Sequence, residues 1–151
     1  MTSTPDSADG GPALFRLVRF WSRRWINRAS EDLTQRSDHV QHILVVEAVR
    51  TAVDGPEEAT VGTVAHQLGL DHSGASRMVR DAVTAGYLVR SESEHDRRRV
   101  QLRLTAAGEE LLDGSHRWQS RVFHDLTAGW DPHDRDQFAA YLRRLATEVG
   151  A

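Results

Sequence analysis

The sequence predicts a mainly α-helical chain of the α+β kind, a winged helix-turn-helix flanked by N- and C-terminal helices, on three observations. Apolar residues recur at helical spacing over most of the length. Two short helical stretches are separated by a few residues around Gly69. Two strand-like stretches, Leu88–Ser93 and Arg99–Leu104, the second alternating apolar and polar residues, follow them directly across a charged tip.

The polar, acidic segment 1–10 carries neither a basic nor an apolar leader pattern and is expected to be a disordered tail. From Pro12, Leu14, Leu17, Val18, Trp21 and Trp25 place one apolar stripe on a helix whose other faces hold Arg16, Arg19, Arg23, Arg24 and Arg28. A second helix, with Ser37 and Asp38 as cap candidates, runs through Ile43, Val46 and Val53 to the turn Asp54-Gly55-Pro56. Being apolar on more than one side, it reads as central and buried. Thr60 can cap a short helix carrying Val61, Val64, Ala65 and Leu68, stopped by Gly69, and Asp71 to Ser73 open another that ends at Gly86.

In that second short helix Ala75, Met78, Val79 and Ala82 form the inward stripe, leaving Ser73, Gly74, Ser76, Arg77, Arg80 and Asp81 outward. Leu88–Ser93 and Arg99–Leu104 read as strands, the latter with Val100, Leu102 and Leu104 inward and Arg99, Gln101 and Arg103 outward. Glu94-His95-Asp96-Arg97-Arg98 is the tip between them, so a hairpin with a basic tip follows the helix-turn-helix: a wing. Thr105 caps a long helix with Leu111, Leu112, Trp118, Val122, Phe123 and Leu126. Past Gly129–Pro132 a last helix carries Phe138, Tyr141, Leu142 and Leu145. The terminal helices hold more large apolar residues than a small winged domain can cover, and association of two copies would bury the surplus.

Composition narrows the function. The 151 residues are 39% hydrophobic and 27% charged, which suits a folded chain of one domain, 11–151, with no apolar run of membrane-span length. With no cysteine there is no disulfide, thiolate metal site or cysteine nucleophile. No phosphate-binding glycine loop, nucleophile elbow or acid/base pair is recognisable, so catalysis is not expected. A net charge of −3 argues against a nucleic-acid partner. Its distribution argues the other way. Segment 77–103 holds seven arginines against four acids, a local +3, while segment 31–76 holds two arginines against eight acids, a local −6. All nineteen basic residues are arginine, which genomic composition alone can produce.

Asp96-Arg97-Arg98-Arg99-Val100-Gln101-Leu102-Arg103-Leu104-Thr105-Ala106-Ala107-Gly108 resembles the MarR family signature, an Asp-x-Arg wing tip followed by a strand and a Leu-Thr-x-x-Gly entry into the dimer helix. Leu68-Gly69-Leu70-Asp71-His72-Ser73, Ser76-Arg77-Met78-Val79 and Ala85-Gly86-Tyr87-Leu88-Val89-Arg90 are similar to that family's recognition helix and its exit. The likeness spans Thr60 to Gly108. It implies a cytoplasmic homodimeric transcriptional regulator, a repressor that binds a pseudo-palindromic double-stranded DNA operator and answers a small anionic or phenolic effector. Segments 11–36 and 105–151 would form the helical dimerisation region and 37–104 the winged helix-turn-helix. The alternative reading is a winged module for protein–protein interaction that has lost DNA binding.

Under the family reading Ser73, Gly74, Ser76, Arg77 and Arg80 enter the major groove, with Arg77 or Arg80 able to grip guanine in a bidentate contact. Without DNA the same face is an ordinary solvated amphipathic helix. Gly74 replaces a bulkier family residue at a cost of about 1 kcal/mol relative to Ala, and either admits DNA closely or weakens the first turn. In the wing, Asp96, Arg97, Arg98 and Arg99 are the DNA candidates. Asp96 is expected to orient the Arg98 guanidinium for the minor groove; the plain alternative is an exposed turn ion pair worth about 0–1 kcal/mol. Trp21, Trp25 and Arg16 are the candidates for an effector pocket, against the simpler reading of core or dimer-interface aromatics. His39 and His42 lie one helical turn apart, and His116 and His124 share another helix, but the paired histidines of the family's zinc-sensing branch are incomplete because Ser120 follows His116 at that spacing. No metal or cofactor is expected.

Overall fold

The computed structural model describes the backbone of residues 9–31 and 36–150 and the side chains of 9–22 and 39–150. Its elements run α1 (Gly11–Glu31), α2 (Arg36–Asp54), α3 (Val61–Leu68), α4 (His72–Thr84), β1 (Leu88–Glu92), β2 (Val100–Leu104), α5 (Ala106–Leu126) and α6 (Pro132–Glu148). The chain divides into two compact units, Met1–Val40 and Gln41–Ala151. Among the described residues the mainly helical pattern with one antiparallel two-stranded sheet matches the expected fold class.

In the first unit, α1 opens where Asp9 Oδ1 accepts the Gly11 N–H at 2.9 Å. Its apolar residues Leu14, Phe15, Leu17, Val18 and Phe20 are all exposed in the single chain.

The second unit is built around one core. Val45, Val46 and Val49 of α2, Val64 of α3, Ala75, Val79 and Ala82 of α4, Leu88 and Leu102 of the hairpin and Leu112 of α5 form a single cluster. Each fully buried Val or Leu there contributes about 1.5–3 kcal/mol of transfer free energy. The α2 helix is not buried on every side as its composition suggested. Leu44 is 45% exposed and Val53 47% exposed, because the core lies against one face and Val53 sits in the last turn, past its edge.

Local signals set the helix-turn-helix. Thr60 caps α3 through a reciprocal box with Thr63, and Asp71 caps α4 by accepting the Gly74 N–H at 2.9 Å. Both helices end on left-handed glycines, Gly69 at φ 63° and Gly86 at φ 86°. In each case the N–H of the following residue reaches five residues back, Leu70 to Ala65 and Tyr87 to Ala82, and closes the helix end.

The hairpin pairs Leu88 with Leu104, Arg90 with Leu102 and Glu92 with Val100. The expected sets of β2 hold for Leu102 and Leu104 inward and for Arg99 and Arg103 outward, but fail at Val100 and Gln101. Val100 is 54% exposed and Gln101 only 8% exposed. Val100 lies at the distal end, where the sheet projects beyond the core, while the Gln101 amide donates to the Glu92 carbonyl at 2.8 Å and tucks against its own hairpin. Two polar contacts flank buried Leu112 and tie α5 to α2: Arg50 bonds Glu109, and His116 Nε2 lies 2.7 Å from Glu47 Oε1. The α6 helix, capped by Asp131 ahead of Pro132, buries no residue within the chain. Phe138 meets α5 through Phe123, stacked at 6.0 Å, and also packs on Trp130 at 5.2 Å. No described helix is long and apolar enough to cross a membrane.

Candidate nucleic-acid interface

The α4 helix presents its apolar stripe to the core and, opposite it, exposes Ser73, Arg77 and Arg80, with Ser76 and Gly74 half-buried. Asp71 organises the first turn. One carboxylate oxygen takes the Gly74 N–H, and the other lies 3.4 Å from the Ser73 hydroxyl, which donates to it. Ser73 thus takes part in the cap. A Cβ at Gly74 would stand 2.6 Å from Asp71 Oδ1, so the glycine leaves room for the capping carboxylate. That is a local reason for Gly74, distinct from both alternatives drawn from sequence.

At the wing, Asp96, Arg97, Arg98 and Arg99 are all exposed. The carboxylate of Asp96 does not bond the Arg98 guanidinium as expected. Asp96 Oδ1 accepts the Arg98 backbone N–H at 2.9 Å, and its carbonyl accepts the Arg99 N–H at 2.8 Å. Asp-x-Arg is here an Asx turn, in which a short carboxylate two residues upstream reaches the main chain more readily than the end of a long arginine. It fixes the backbone from which Arg98 projects.

The electrostatics follow from which acids are occupied. Glu94 pairs with Arg103, Asp71 and Asp96 serve backbone N–H groups, and Glu58 faces Ser93 and His95. Among the described residues no ion pair is made by Arg77, Arg80, Arg97, Arg98 or Arg99. Five guanidiniums on the helix face and the adjoining wing thus remain available to an anion, although the whole chain is net negative.

The Leu-Thr-x-x-Gly entry shows its purpose in three contacts. Thr105 Oγ1 donates to the Gly86 carbonyl at 2.5 Å and accepts the Gly108 N–H at 3.1 Å, while the Thr105 N–H donates to the Tyr87 carbonyl at 3.0 Å. A Cβ at Gly108 would fall 2.2 Å from that same Tyr87 oxygen. The start of α5 is therefore clasped to the corner where α4 becomes β1.

Sequence reasoning missed one cluster. Ser93, 3% exposed, donates its hydroxyl to Glu58 Oε1 at 2.5 Å, and that same oxygen lies 3.0 Å from His95 Nδ1. Hydrogen bonds from Ser93, then His95, hold the Glu58 carboxyl below its ordinary value of 4.5 against the opposing effect of burial. Nothing local links positions 35 residues apart; the only hint was a serine where strand and charged tip meet. Of the effector candidates on α1, Arg16 is exposed and Trp21 half-buried, edge-on to Phe20 at 5.7 Å, while the side chain of Trp25 lies outside the described residues. Among the described residues no three His, Cys, Asp or Glu side chains gather as metal ligands would.

A short helix pair whose second member bears cationic outward residues, followed by a basic hairpin, defines a winged helix-turn-helix fold. Residues 40–99 match the MarR family model, a stretch that takes in most of the winged helix-turn-helix. Over 82 residues, 54% of this chain, it is 29% identical to the transcriptional repressor MprA of Escherichia coli K12. That stretch spans about half of the repressor, 47% of its length. Two solved structures share the fold. A MarR family protein from Bacillus stearothermophilus superposes with a TM-score of 0.65 at 19% identity, over 93% of this chain and 95% of that one. MepR of S. aureus, in a MepR–DNA complex, gives 0.57 at 17% identity, over 91% and 98%.

Proposed function

We infer that this chain is a sequence-specific, double-stranded-DNA-binding transcriptional regulator, a homodimeric repressor that acts in the cytoplasm and answers a small anionic or phenolic effector. The observation that carries the reading is the set of arginines on α4 and the wing that, among the described residues, make no ion pair, while Glu94, Asp96 and Asp71 are engaged with other groups. Arg77 and Arg80 suit base edges and phosphates of the major groove, and Arg98 suits the electronegative minor groove, with Arg97 and Arg99 on flanking phosphates. MprA is a transcriptional repressor and MepR has been crystallised with DNA, which supports the same role here.

A dimer accounts for α6, a 17-residue helix that buries no residue within its own chain while exposing Tyr141, Leu142 and Leu145. The exposed apolar face of α1 supports the same assignment, with 11–36 and 105–151 as the dimerisation region and 37–104 as the DNA-binding part. Two copies would place their recognition helices about 34–36 Å apart on a pseudo-palindrome. Arg16, Trp21 and Trp25 are the residues assigned to the effector.

The test is fluorescence anisotropy on duplexes enriched from a random pool, titrated at several salt concentrations. Wild type should bind with a steep salt slope, and Arg98→Ala should lose about 1–3 kcal/mol. Failure to enrich any duplex would favour the interaction module, which the net charge of −3 suits.

A further inference from the structure

Resting on the DNA-binding reading, we propose that Glu58 is a positioning residue which, through Ser93, holds the wing in the conformation that delivers Arg98. The tip between β1 and β2 is exposed from Glu94 to Arg99 and buries no residue of its own; its side-chain contacts are Glu94 with Arg103 and His95 with Glu58. Two-stranded hairpins are marginal without support, so something at the base must fix the tip.

Ser93 is the node. Its Oγ accepts the N–H groups of His95 and Asp96, each at 3.1 Å, and its backbone N–H donates to the Arg99 carbonyl at 2.9 Å. A serine hydroxyl has two acceptor sites and one proton. Both acceptor sites are filled from the tip, and the proton goes to Glu58 Oε1 at 2.5 Å. With Ser93 only 3% exposed, water is a poor substitute for that carboxylate.

The segment before α3 therefore grips the hairpin on both strands. Glu58 holds the end of β1, and the neighbouring Ala59 carbonyl accepts the Leu102 N–H of β2 at 2.7 Å. The Asx turn of Asp96 then begins from a fixed backbone and aims Arg98. Glu58 touches no DNA in this scheme; it sets where an arginine three residues past His95 stands.

The sign of its effect distinguishes this role. A carboxylate beside a phosphate-binding wing opposes DNA by charge, so deleting a bystander acid should raise affinity. Deleting an anchor should lower it. The experiment measures anisotropy at fixed salt, on a duplex enriched with wild type, for Glu58→Ala, Glu58→Gln and Ser93→Ala, each with and without Arg98→Ala, alongside thermal melts. Glu58→Ala and Ser93→Ala should each weaken binding about 3- to 10-fold, the scale of one ordinary hydrogen bond and no more than the loss of Arg98 itself. Glu58→Gln, whose amide oxygen still accepts from Ser93, should stay within about 2-fold of wild type. In the Arg98→Ala background the loss from Glu58→Ala should shrink to under about 2-fold, because the arginine it aims is gone.

Tighter binding by Glu58→Ala, or an equal loss in both backgrounds, overturns the proposal and leaves the DNA reading standing. If Glu58→Ala and Ser93→Ala melt before the assay temperature, the Glu58→Gln arm and hydrogen exchange at His95 and Asp96 decide, with unchanged exchange in Glu58→Gln expected and its acceleration to the unprotected rate overturning the anchor. A wild-type chain that enriches no duplex removes the DNA reading, and this proposal with it.

Discussion

Gly108→Ala sets two physical effects against each other with opposite signs. Alanine is the better helix former, and by propensity alone the change in the first turn of α5 should stabilise by about 1 kcal/mol. The added methyl would lie 2.2 Å from the Tyr87 carbonyl oxygen and 3.2 Å from its carbon, both backbone atoms in the corner between α4 and β1. They cannot rotate away as a side chain would, so α5 must move off the corner. That movement breaks the Thr105 N–H bond to Tyr87 and strains the Thr105 hydroxyl bond to Gly86. Each is worth about 0.5–1.5 kcal/mol, and loosened packing around Leu112 adds about 1–2 kcal/mol. Net of propensity, the loss is about 1–4 kcal/mol. For a chain of this size that lowers Tm by about 3–12 °C. Thermal melts followed by circular dichroism at one fixed protein concentration read the shift directly, the concentration being held because an associating chain has a concentration-dependent Tm. A Tm equal to or above wild type would refute the close approach and leave propensity as the governing effect.

Three further outcomes are expected. Asp71→Ala should cost about 1 kcal/mol through loss of the α4 cap, while Gly74→Ala should be nearly neutral in wild type but stabilising by about 1 kcal/mol once Asp71 is alanine; urea midpoints for the four proteins of this cycle would refute the crowding if the effects simply add. Because the Glu58 carboxyl is held below 4.5 in the folded wing, its contribution is complete above that value and lost only as pH falls through the lowered one. Hydrogen-exchange protection of the His95 and Asp96 amides should accordingly persist from neutral pH down to about 4.5, and its loss near pH 6 would show that another group governs the wing. Leu102→Ala, at a side chain 2% exposed beneath the hairpin, should destabilise by about 2–5 kcal/mol in denaturant titration, and a loss under about 1 kcal/mol would place Leu102 outside the core.

Much of the fold is written in local signals. Thr60, Asp71 and Thr105 each accept an N–H of the helix they precede, and Gly69 and Gly86 take the left-handed backbone that ends one, so these boundaries depend on neighbours within a few residues. The outward face of α4 was legible for the same reason: a 3.6-residue period fixes which side Arg77 and Arg80 share once Ala75, Val79 and Ala82 are buried. What a period cannot convey is where an element outruns the core. Val53 and Val100 are apolar at positions matching the buried pattern, yet each stands at an end where no second layer covers it.

The partners of polar groups were decided by tertiary structure alone. Sequence placed Asp96 beside Arg98 but could not say whether its carboxylate would meet a side chain or a backbone N–H, since both lie within reach and only the turn geometry chooses. Glu58 is one of two adjacent acids, Glu57 and Glu58, and nothing local marks that it would meet a serine 35 residues later. The sequence alone determined the order of elements, the caps that bound them and the cationic face, because these follow from chemistry over one or two helical turns. Folding decided which acids are occupied and hence which arginines stay unpaired, because that depends on segments distant in sequence meeting in space.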